Sequence, residues 1–231
     1  MGRREADTAS TFQGTLDLSA VGTFNALLDE FSIGTSNPAG VGSAQGQPRG
    51  VVTLAAGTTI DARLIQIGDS RNVGLGGFNN RLLLGTTNAI TVDTMVVGGD
   101  KSTGTIDGSL TFASGNGTLD LAGSSGPRTD LYVGHQEVGT GGGARGVMDL
   151  AGGTFNATLD EWVIGSKPNS ATGATEGVVN LGAGTVNANS LVLGRRTDAR
   201  SRSAAASCTS ATLPMRPAAA PGTTWPCTRS R

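Results

Sequence analysis

One thirteen-residue stretch occurs twice in this chain. Residues 22–34 read GTFNALLDEFSIG and residues 153–165 read GTFNATLDEWVIG, so ten of the thirteen letters agree. An internal repeat constrains the fold more than composition does, because each copy must bury its apolar side chains against its neighbours. We therefore searched the whole chain for further copies before interpreting any single segment.

Six copies follow when the pattern Gly-x-apolar-polar-Leu is used as the anchor. They start near 14, 50, 80, 117, 146 and 177, and the copy at 80 is the most degenerate. These starts divide the chain into three regions: an N-terminal extension or partial coil (1–13), the repeats (14–194) and a basic low-complexity tail (195–231).

Apolar and polar residues alternate within each copy, which is the pattern of a strand with one buried side. Each copy ends at a Gly. The residues one and three positions before that Gly are apolar in every copy, and we predict that they point inward. These residues are Ile33, Ile67, Val97, Val133, Ile164 and Leu193, with Phe31, Ile65, Met95, Leu131, Trp162 and Leu191. The position between them varies and is predicted to face outward.

The repeats predict an all-β fold, a parallel β-solenoid of the right-handed β-helix type with about six coils of ~30 residues. One copy cannot bury its own apolar columns, but stacked copies place like residues on one another at the strand spacing of about 4.8 Å. The chain has 37 Gly and one Tyr, which fits tight turns rather than an aromatic core. No segment has sustained helical periodicity.

The composition changes after Gly194. Residues 1–194 hold 17 acidic and 10 basic side chains, whereas 195–231 hold seven Arg, one Asp and both cysteines. The tail is either a genuine basic extension or the product of a shifted reading frame near Arg195, and we favour the shift. Either origin predicts disorder after about 198, because Arg, Ser and Pro offer little to bury. We expect no nucleic-acid partner.

The motifs Gly-x-apolar-Asp-Leu and Gly-Thr-apolar-Asn-Ala resemble the autotransporter-associated β-strand repeats of large exported bacterial surface proteins. The resemblance covers about 14–194 and implies a β-helical passenger that serves as a stalk or adhesin outside the cell or at its surface. Such proteins also have a signal peptide, a membrane barrel or anchor, and caps. None of these is recognisable here, so we expect a piece of such a protein, and no segment approaches the ~20 apolar residues that span a membrane.

Acidic side chains are the main candidates for chemistry. Asp120 and Asp149 are predicted to share a column in neighbouring coils, where a Ca²⁺ ion could bridge them, although solvated carboxylates are the more ordinary interpretation. The pairs Asp29–Glu30 and Asp160–Glu161 are interpreted as solvated residues at a strand bulge. The competing interpretation is the carboxylate pair of a glycosidase or lyase.

Three further patterns are weaker candidates for a functional site. A predicted column of Asn25, Asp61, Asn156 and Asn187 is interpreted as stabilising turns through its side chains. The stretch GGGARG at 141–146 fits Gly-x-Gly-x-x-Gly, but a strand pattern follows it, so we reject a nucleotide site. His135 is the only histidine, and no Ser-His-Asp or zinc set can be assembled around it.

The sequence therefore predicts a non-enzymatic structural or adhesive segment, a stiff spacer or display stalk, with no catalytic residues and no cofactor. The alternative is a carbohydrate-binding or carbohydrate-active β-helix of the glycosidase or lyase type. The expected partners are cell-surface glycans or neighbouring domains of a longer chain. A third interpretation is an aggregation-prone fragment with uncapped ends. The single Tyr and two Lys favour the spacer.

Overall fold

The computed structural model describes six segments of the chain: 12–35, 48–69, 79–99, 107–136, 143–168 and 173–197. Each segment makes one circuit of the fold, and we call these circuits rungs one to six in chain order. The described segments contain no helix. They form the strands β1 (Phe12–Asp17), β2 (Thr23–Ile33), β3 (Pro48–Thr53), β4 (Gly57–Asp69), β5 (Asn80–Leu84), β6 (Thr87–Gly99), β7 (Gly108–Phe112), β8 (Thr118–Ala122), β9 (Thr129–His135), β10 (Ala144–Pro168) and β11 (Thr175–Thr197).

All strand pairs are parallel, and their register defines three faces around one interior. The first face stacks β1, β3, β5, β7 and the beginnings of β10 and β11. The second stacks the beginnings of β2, β4 and β6 with β8 and the middles of β10 and β11. The third stacks the ends of β2, β4 and β6 with β9 and the ends of β10 and β11.

This architecture is the predicted β-solenoid. About four turns are covered by a neighbouring rung on both sides, and one open rung lies at each end of the described stack. The number of complete turns is therefore slightly smaller than the six coils predicted. The hand of the coil stays a prediction.

The register confirms both inward columns of the third face. Ile33 pairs with Ile67, and the column continues in order to Leu193, while Phe31 begins the neighbouring column that ends at Leu191. Between the two end rungs the residues of both columns are buried, apart from Ile164, which is partly buried. Leu193 belongs to the same column but is 67% exposed, because it lies on the last described rung and no described rung follows it.

The outward position between these columns differs from the prediction. It was expected to face solvent, yet Gln66, Val96 and Val163 are buried. Alternation along a strand reports which side faces the core. It does not report whether the opposite side is covered as well.

The fourth copy starts at Gly108, so the start predicted at 117 is wrong. Gly108 pairs with Asn80 and Gly146 on the first face, whereas Leu119 pairs with Asn88 on the second face. The sequence GTLDL at 117–121 is similar to the first-strand motif GVMDL at 146–150, and this similarity led to the wrong start. The other five starts hold equivalent first-face positions.

A glycine in the left-handed region follows each pair of inward third-face residues, as the fixed Gly of the repeat predicts. The φ angles lie between 62° and 71° at Gly34, Gly68, Gly98, Gly134, Gly165 and Gly194. Glycine adopts this conformation without the steric penalty of a Cβ. The corner is also crowded, because a Cβ on Gly68 would lie 2.1 Å from the carbonyl oxygen of Asp107.

The last strand extends slightly past the predicted repeats. β11 runs to Thr197, so Arg195 and Arg196 continue the third face rather than begin the tail. Residues 198–231, to which the predictions of disorder and of a shifted frame apply, lie outside the described residues. The predicted N-terminal extension is likewise outside them up to residue 11.

Candidate functional site

The two calcium candidates do not share a column, so this prediction is wrong. Asp149 lies on the first face beside Thr111 and Asn180, whereas Asp120 lies on the second face beside Asn156. The error follows from the misplaced start at 117, which assigned Asp120 to the first face. Within the six described segments, no three His, Cys, Asp or Glu side chains converge where they could hold a metal ion.

Asp29 and Glu30 do not lie at a bulge, contrary to the prediction. Leu28 pairs with Ala62 and Glu30 pairs with Leu64, so no residue is inserted between them. Asp160 and Glu161 do lie at an irregularity, because the register between β10 and β9 shifts between Leu159 and Trp162. The two residues by which β10 exceeds β11 lie elsewhere, between Leu150 and Thr154 at the corner of the first and second faces. The extra residues of the closest copies are therefore corner residues.

Asp29 forms an exposed ion pair. The guanidinium of Arg63 lies 2.8 Å from its carboxylate and lowers the pKa of Asp29, first through the hydrogen bond and then through its charge. In the other acidic pair, Asp160 accepts a hydrogen bond of 2.6 Å from Asn189. Exposed pairs of this kind add little to stability, because water and salt screen them.

A groove of about 520 Å³ runs across the outward side of the second face. The amide of Asn156 donates to Asp120 over 2.8 Å, and its oxygen accepts from the backbone N–H of Thr185 over 3.1 Å. The polar groups of the groove thus bond to one another along the stack.

The predicted Asn/Asp column is in fact two columns of this groove face. Asn25 and Asn156 share one column, and Asp61 and Asn187 lie in another, two residues further along. Rung five has two corner residues that have no counterpart in rung six. Alignment by sequence similarity alone therefore displaces Asn187 by two positions relative to Asn156.

A second polar surface lies on the outward side of the third face, around a cavity of about 190 Å³. It combines the only tyrosine and the only histidine of the chain with both signs of charge. Its residues come from three successive rungs. We call it the third-face cluster, formed by Tyr132, His135, Glu161, Ser166, Lys167 and Arg195.

Glu161 organises the charged part of the third-face cluster. Tyr132 Oη donates to its Oε2 over 2.9 Å, and Arg195 Nη1 donates to its Oε1 over 2.8 Å. Partial burial, and then the hydrogen bond to the carboxylate, raises the pKa of Tyr132, so the phenol remains a donor. Both carboxylate oxygens are therefore engaged within the cluster.

His135 links the cluster to the corner. Its ring lies 4.7 Å from the Tyr132 ring, tilted by 32°, and its Nδ1 forms a hydrogen bond with the Ser166 hydroxyl. The cluster thus combines an aromatic ring, an imidazole and several hydrogen-bonding groups on one surface.

Sequence reasoning missed this cluster, although a signal for it existed. His135, Ser166 and Arg195 each follow a fixed glycine directly, and the register places them side by side in successive rungs. Aligning the residue after each fixed Gly would have shown this column.

The fold and these surfaces define a parallel β-solenoid with a grooved second face and a polar cluster on its third face. No protein family, curated protein or solved structure matches the chain. No helix in the described segments could cross a membrane.

Proposed function

We propose that this chain is a structural or adhesive β-solenoid segment of an exported bacterial surface protein, where it acts as a stiff spacer or display stalk. The observation that carries the proposal is the continuity of the interior. Buried columns such as Ile65, Met95 and Leu131 run from rung to rung in register, and all three faces are hydrogen-bonded ladders. Each rung contacts its neighbours directly, so the length of the rod grows with the number of repeats.

The polar exterior agrees with this role. Outward side chains of the second face form hydrogen bonds with one another, as Asn156 does with Asp120. The repeat motifs add a second line of support, because they resemble those of exported passengers. A spacer needs a soluble surface and a regular core, and it needs no catalytic residues.

Inserting whole rungs tests the spacer role. Asn80 and Gly108 hold equivalent positions, so residues 80–107 are one complete repeat. Three additional copies should lengthen the particle by about 14 Å, at 4.8 Å per rung, in small-angle X-ray scattering. A flexible Gly/Ser insert of equal length is the control, because a random coil should show itself as a rising Kratky plot, whereas added rungs should keep the profile of a folded rod. An unchanged maximum dimension with three more repeats would contradict the proposal.

Exposure of the segment on producing bacteria tests its location. An antibody raised against the turn at 113–116, whose residues are exposed, should label intact cells. Labelling that appears only after permeabilisation would argue against surface display.

Carbohydrate binding is the second candidate, and the third-face cluster is the observation that favours it. Tyr132 offers an aromatic ring beside a cavity, and Arg195 and Ser166 offer hydrogen-bonding groups, as sugar-binding surfaces require. Screening the chain on a glycan array distinguishes the candidates. Binding that Tyr132→Ala abolishes and Asn25→Ala preserves would support carbohydrate recognition, whereas no binding is expected of a spacer.

A further inference from the structure

The corner between the first and second faces of rung four contains the only Asn-Gly pair of the chain, Asn116–Gly117. This corner, residues 113–117, joins β7 to β8, and the side chains of Ser114 and Asn116 are exposed. An asparagine side chain can react with the backbone nitrogen of the residue that follows it. Glycine hinders this reaction least, because it has no Cβ. The sequence therefore places the most reactive asparagine of the chain at an exposed corner.

The hydroxyl of Ser114 is bonded to the reacting group of Asn116. Its Oγ lies 2.9 Å from the side-chain Oδ1 of Asn116 and 2.9 Å from the backbone oxygen of the same residue. Because both partners are carbonyl oxygens, the hydroxyl is the donor. A donor at Oδ1 withdraws electrons from Cγ and stabilises the negative charge that Oδ1 acquires when a nucleophile adds to Cγ. The corner thus holds an electrophilic carbon together with a donor for its oxygen.

Three other asparagines of the second face provide a contrast within the same molecule. Asn25, Asn156 and Asn187 lie inside the strands β2, β10 and β11, and an alanine follows each of them. The Cβ of that alanine hinders the approach of the backbone nitrogen, and ladder hydrogen bonds oppose the rotation that the approach requires. These three residues should therefore be much less reactive than Asn116.

We propose that Asn116 is a site of spontaneous deamidation through a cyclic imide. Hydroxide removes the proton from the backbone nitrogen of Gly117, and this nitrogen forms a bond to Cγ of Asn116. The bond from Cγ to Nδ2 breaks, and Nδ2 takes a proton from water and leaves as ammonia, so nothing is oxidised or reduced. Water then opens the imide ring at one of its two carbonyl carbons, which gives aspartate or isoaspartate at position 116. The inference does not depend on the proposed spacer role.

Isoaspartate lengthens the backbone by one carbon atom, in a corner that has little room for it. The corner of rung five packs directly against this one, because the N–H of Thr154 donates to the carbonyl oxygen of Gly117 over 2.8 Å. A Cβ on Gly152 would lie 1.7 Å from the carbonyl oxygen of Gly115, and a Cβ on Gly153 would lie 2.4 Å from that of Gly117. Isoaspartate should therefore disturb the contact between rungs four and five, whereas aspartate changes only the charge of an exposed side chain.

Peptide mapping by mass spectrometry tests the site in the folded, full chain. During incubation in mildly alkaline buffer, the peptide that contains Asn116 should exchange its amide for a carboxyl group and divide into aspartate and isoaspartate forms. The reaction should be slower in mildly acidic buffer, because hydroxide starts it. Asn25, Asn156 and Asn187 are the internal controls and should stay intact. Retention of the amide at Asn116 as long as at these controls would overturn the proposal.

Two substitutions test the chemistry at the corner. Ser114→Ala removes the donor at Oδ1 and should slow deamidation of the folded chain about two- to tenfold, as the loss of one hydrogen bond does. In urea the two chains should react alike, because the unfolded chain does not hold the hydroxyl at Oδ1. Asn116→Gln should abolish the reaction at this position, since the longer side chain forms the imide ring far more slowly. Equal rates for the folded wild type and Ser114→Ala would refute the assistance by the hydroxyl.

Urea unfolding of aged samples tests the effect on the corner. Asn116→Asp has the charge of the aspartate product without the added backbone carbon, so it should unfold near the wild-type midpoint. Aged wild type, which contains isoaspartate, should unfold at a lower urea concentration than Asn116→Asp. Asn116→Gln aged in parallel is the control for other chemical damage. An aged wild type as stable as Asn116→Asp would contradict the predicted disturbance of rungs four and five.

Discussion

Asn88 shows how a polar side chain can belong to the interior of this fold. It is completely buried, its amide donates to the carbonyl oxygens of Gly85 and Thr118 over 2.9 Å each, and its oxygen accepts from the N–H of Gly85 over 3.0 Å. The side chain therefore satisfies the turn of its own rung and joins that rung to the next. Buried polar groups are tolerated when they are hydrogen-bonded in this way.

Replacing Asn88 should be costly. Asn88→Ala leaves these turn groups without their partners, and we expect the free energy of unfolding to fall by about 1–3 kcal/mol. Urea unfolding of a monomeric preparation measures the change. Asn25→Ala, at an exposed position of the same face, is the control and should change stability little. Equal losses in the two variants would show that the interior hydrogen bonds add nothing.

Asp130 predicts a pH dependence of stability. Partial burial, and then the neighbouring carboxylates of Asp160 and Glu161, raise its pKa, against the lowering effect of a hydrogen bond from the Glu161 N–H. The folded state thus holds the proton more tightly than the unfolded state. Protonation of Asp130 therefore favours folding, and this benefit is lost as the pH rises through the folded-state pKa.

Asp130→Asn should therefore raise the urea midpoint at pH 7, where the wild-type carboxylate is charged. The advantage should shrink as the pH falls through the raised folded-state pKa of Asp130, and it should vanish below the unfolded-state pKa of about 3.9, where the carboxyl is protonated in both states. Asp149→Asn removes one charge at an exposed position and is the control. An advantage for Asp130→Asn that persists unchanged at low pH would contradict the argument.

In the strands and at their corners, glycines lie where two backbone segments approach each other closely. A Cβ on Gly108 would lie 1.9 Å from the carbonyl oxygen of Ile67, at the corner where the third face meets the first. Only a glycine lets the two backbones approach this closely. Gly126 has no such neighbour, since nothing lies within 4 Å of the Cβ position.

Gly108→Ala should destabilise the protein by about 1–3 kcal/mol, because the backbone must move to admit the methyl group. Gly126→Ala should change stability by less than about 0.5 kcal/mol, as surface substitutions usually do. Thermal unfolding followed by circular dichroism compares the two. A similar loss at both positions would mean that loss of backbone freedom, rather than the close contact, sets the cost.

Strand identity and third-face register could be predicted from the sequence, because Ile33, Ile67 and Val97 precede a Gly whose conformation fixes the corner. The first face was less predictable. Apolar and polar residues alternate both in GTLDL at 117–121 and in GSLTF at 108–112. Only the pairing of Gly108 with Asn80 shows that the segment at 108–112 is the first-face strand. The predicted shared column of Asp120 and Asp149 failed with that choice.

The third-face cluster was harder to predict for a different reason. Tyr132 and Arg195 are 63 positions apart in sequence, and Glu161 connects them only because three rungs stack in register. Residue types that carry chemistry, scattered singly along the chain, give no local motif. Their proximity becomes visible only when every column is aligned, including the column after the fixed Gly.

The described stack should unfold from its ends. Inner rungs have a neighbouring rung on both sides, whereas among the described residues rungs one and six have a neighbouring rung on one side, so local stability should fall from the centre outward. Amide hydrogen exchange of the full chain measures this gradient. Amides of β5 to β8 should exchange more slowly than those of β2 and β11. Uniform protection along the chain would indicate one cooperative unit instead.

The fixed glycine corner has a practical consequence. Soon after each of these glycines the described rung ends, and the intervals before the next first-face strand differ in length, such as 36–47 and 169–172. The ladders stay in register on both sides of every interval. This corner is therefore a natural place to graft a foreign epitope, since cargo inserted there would alter no buried column, and several grafts would form a regularly spaced row.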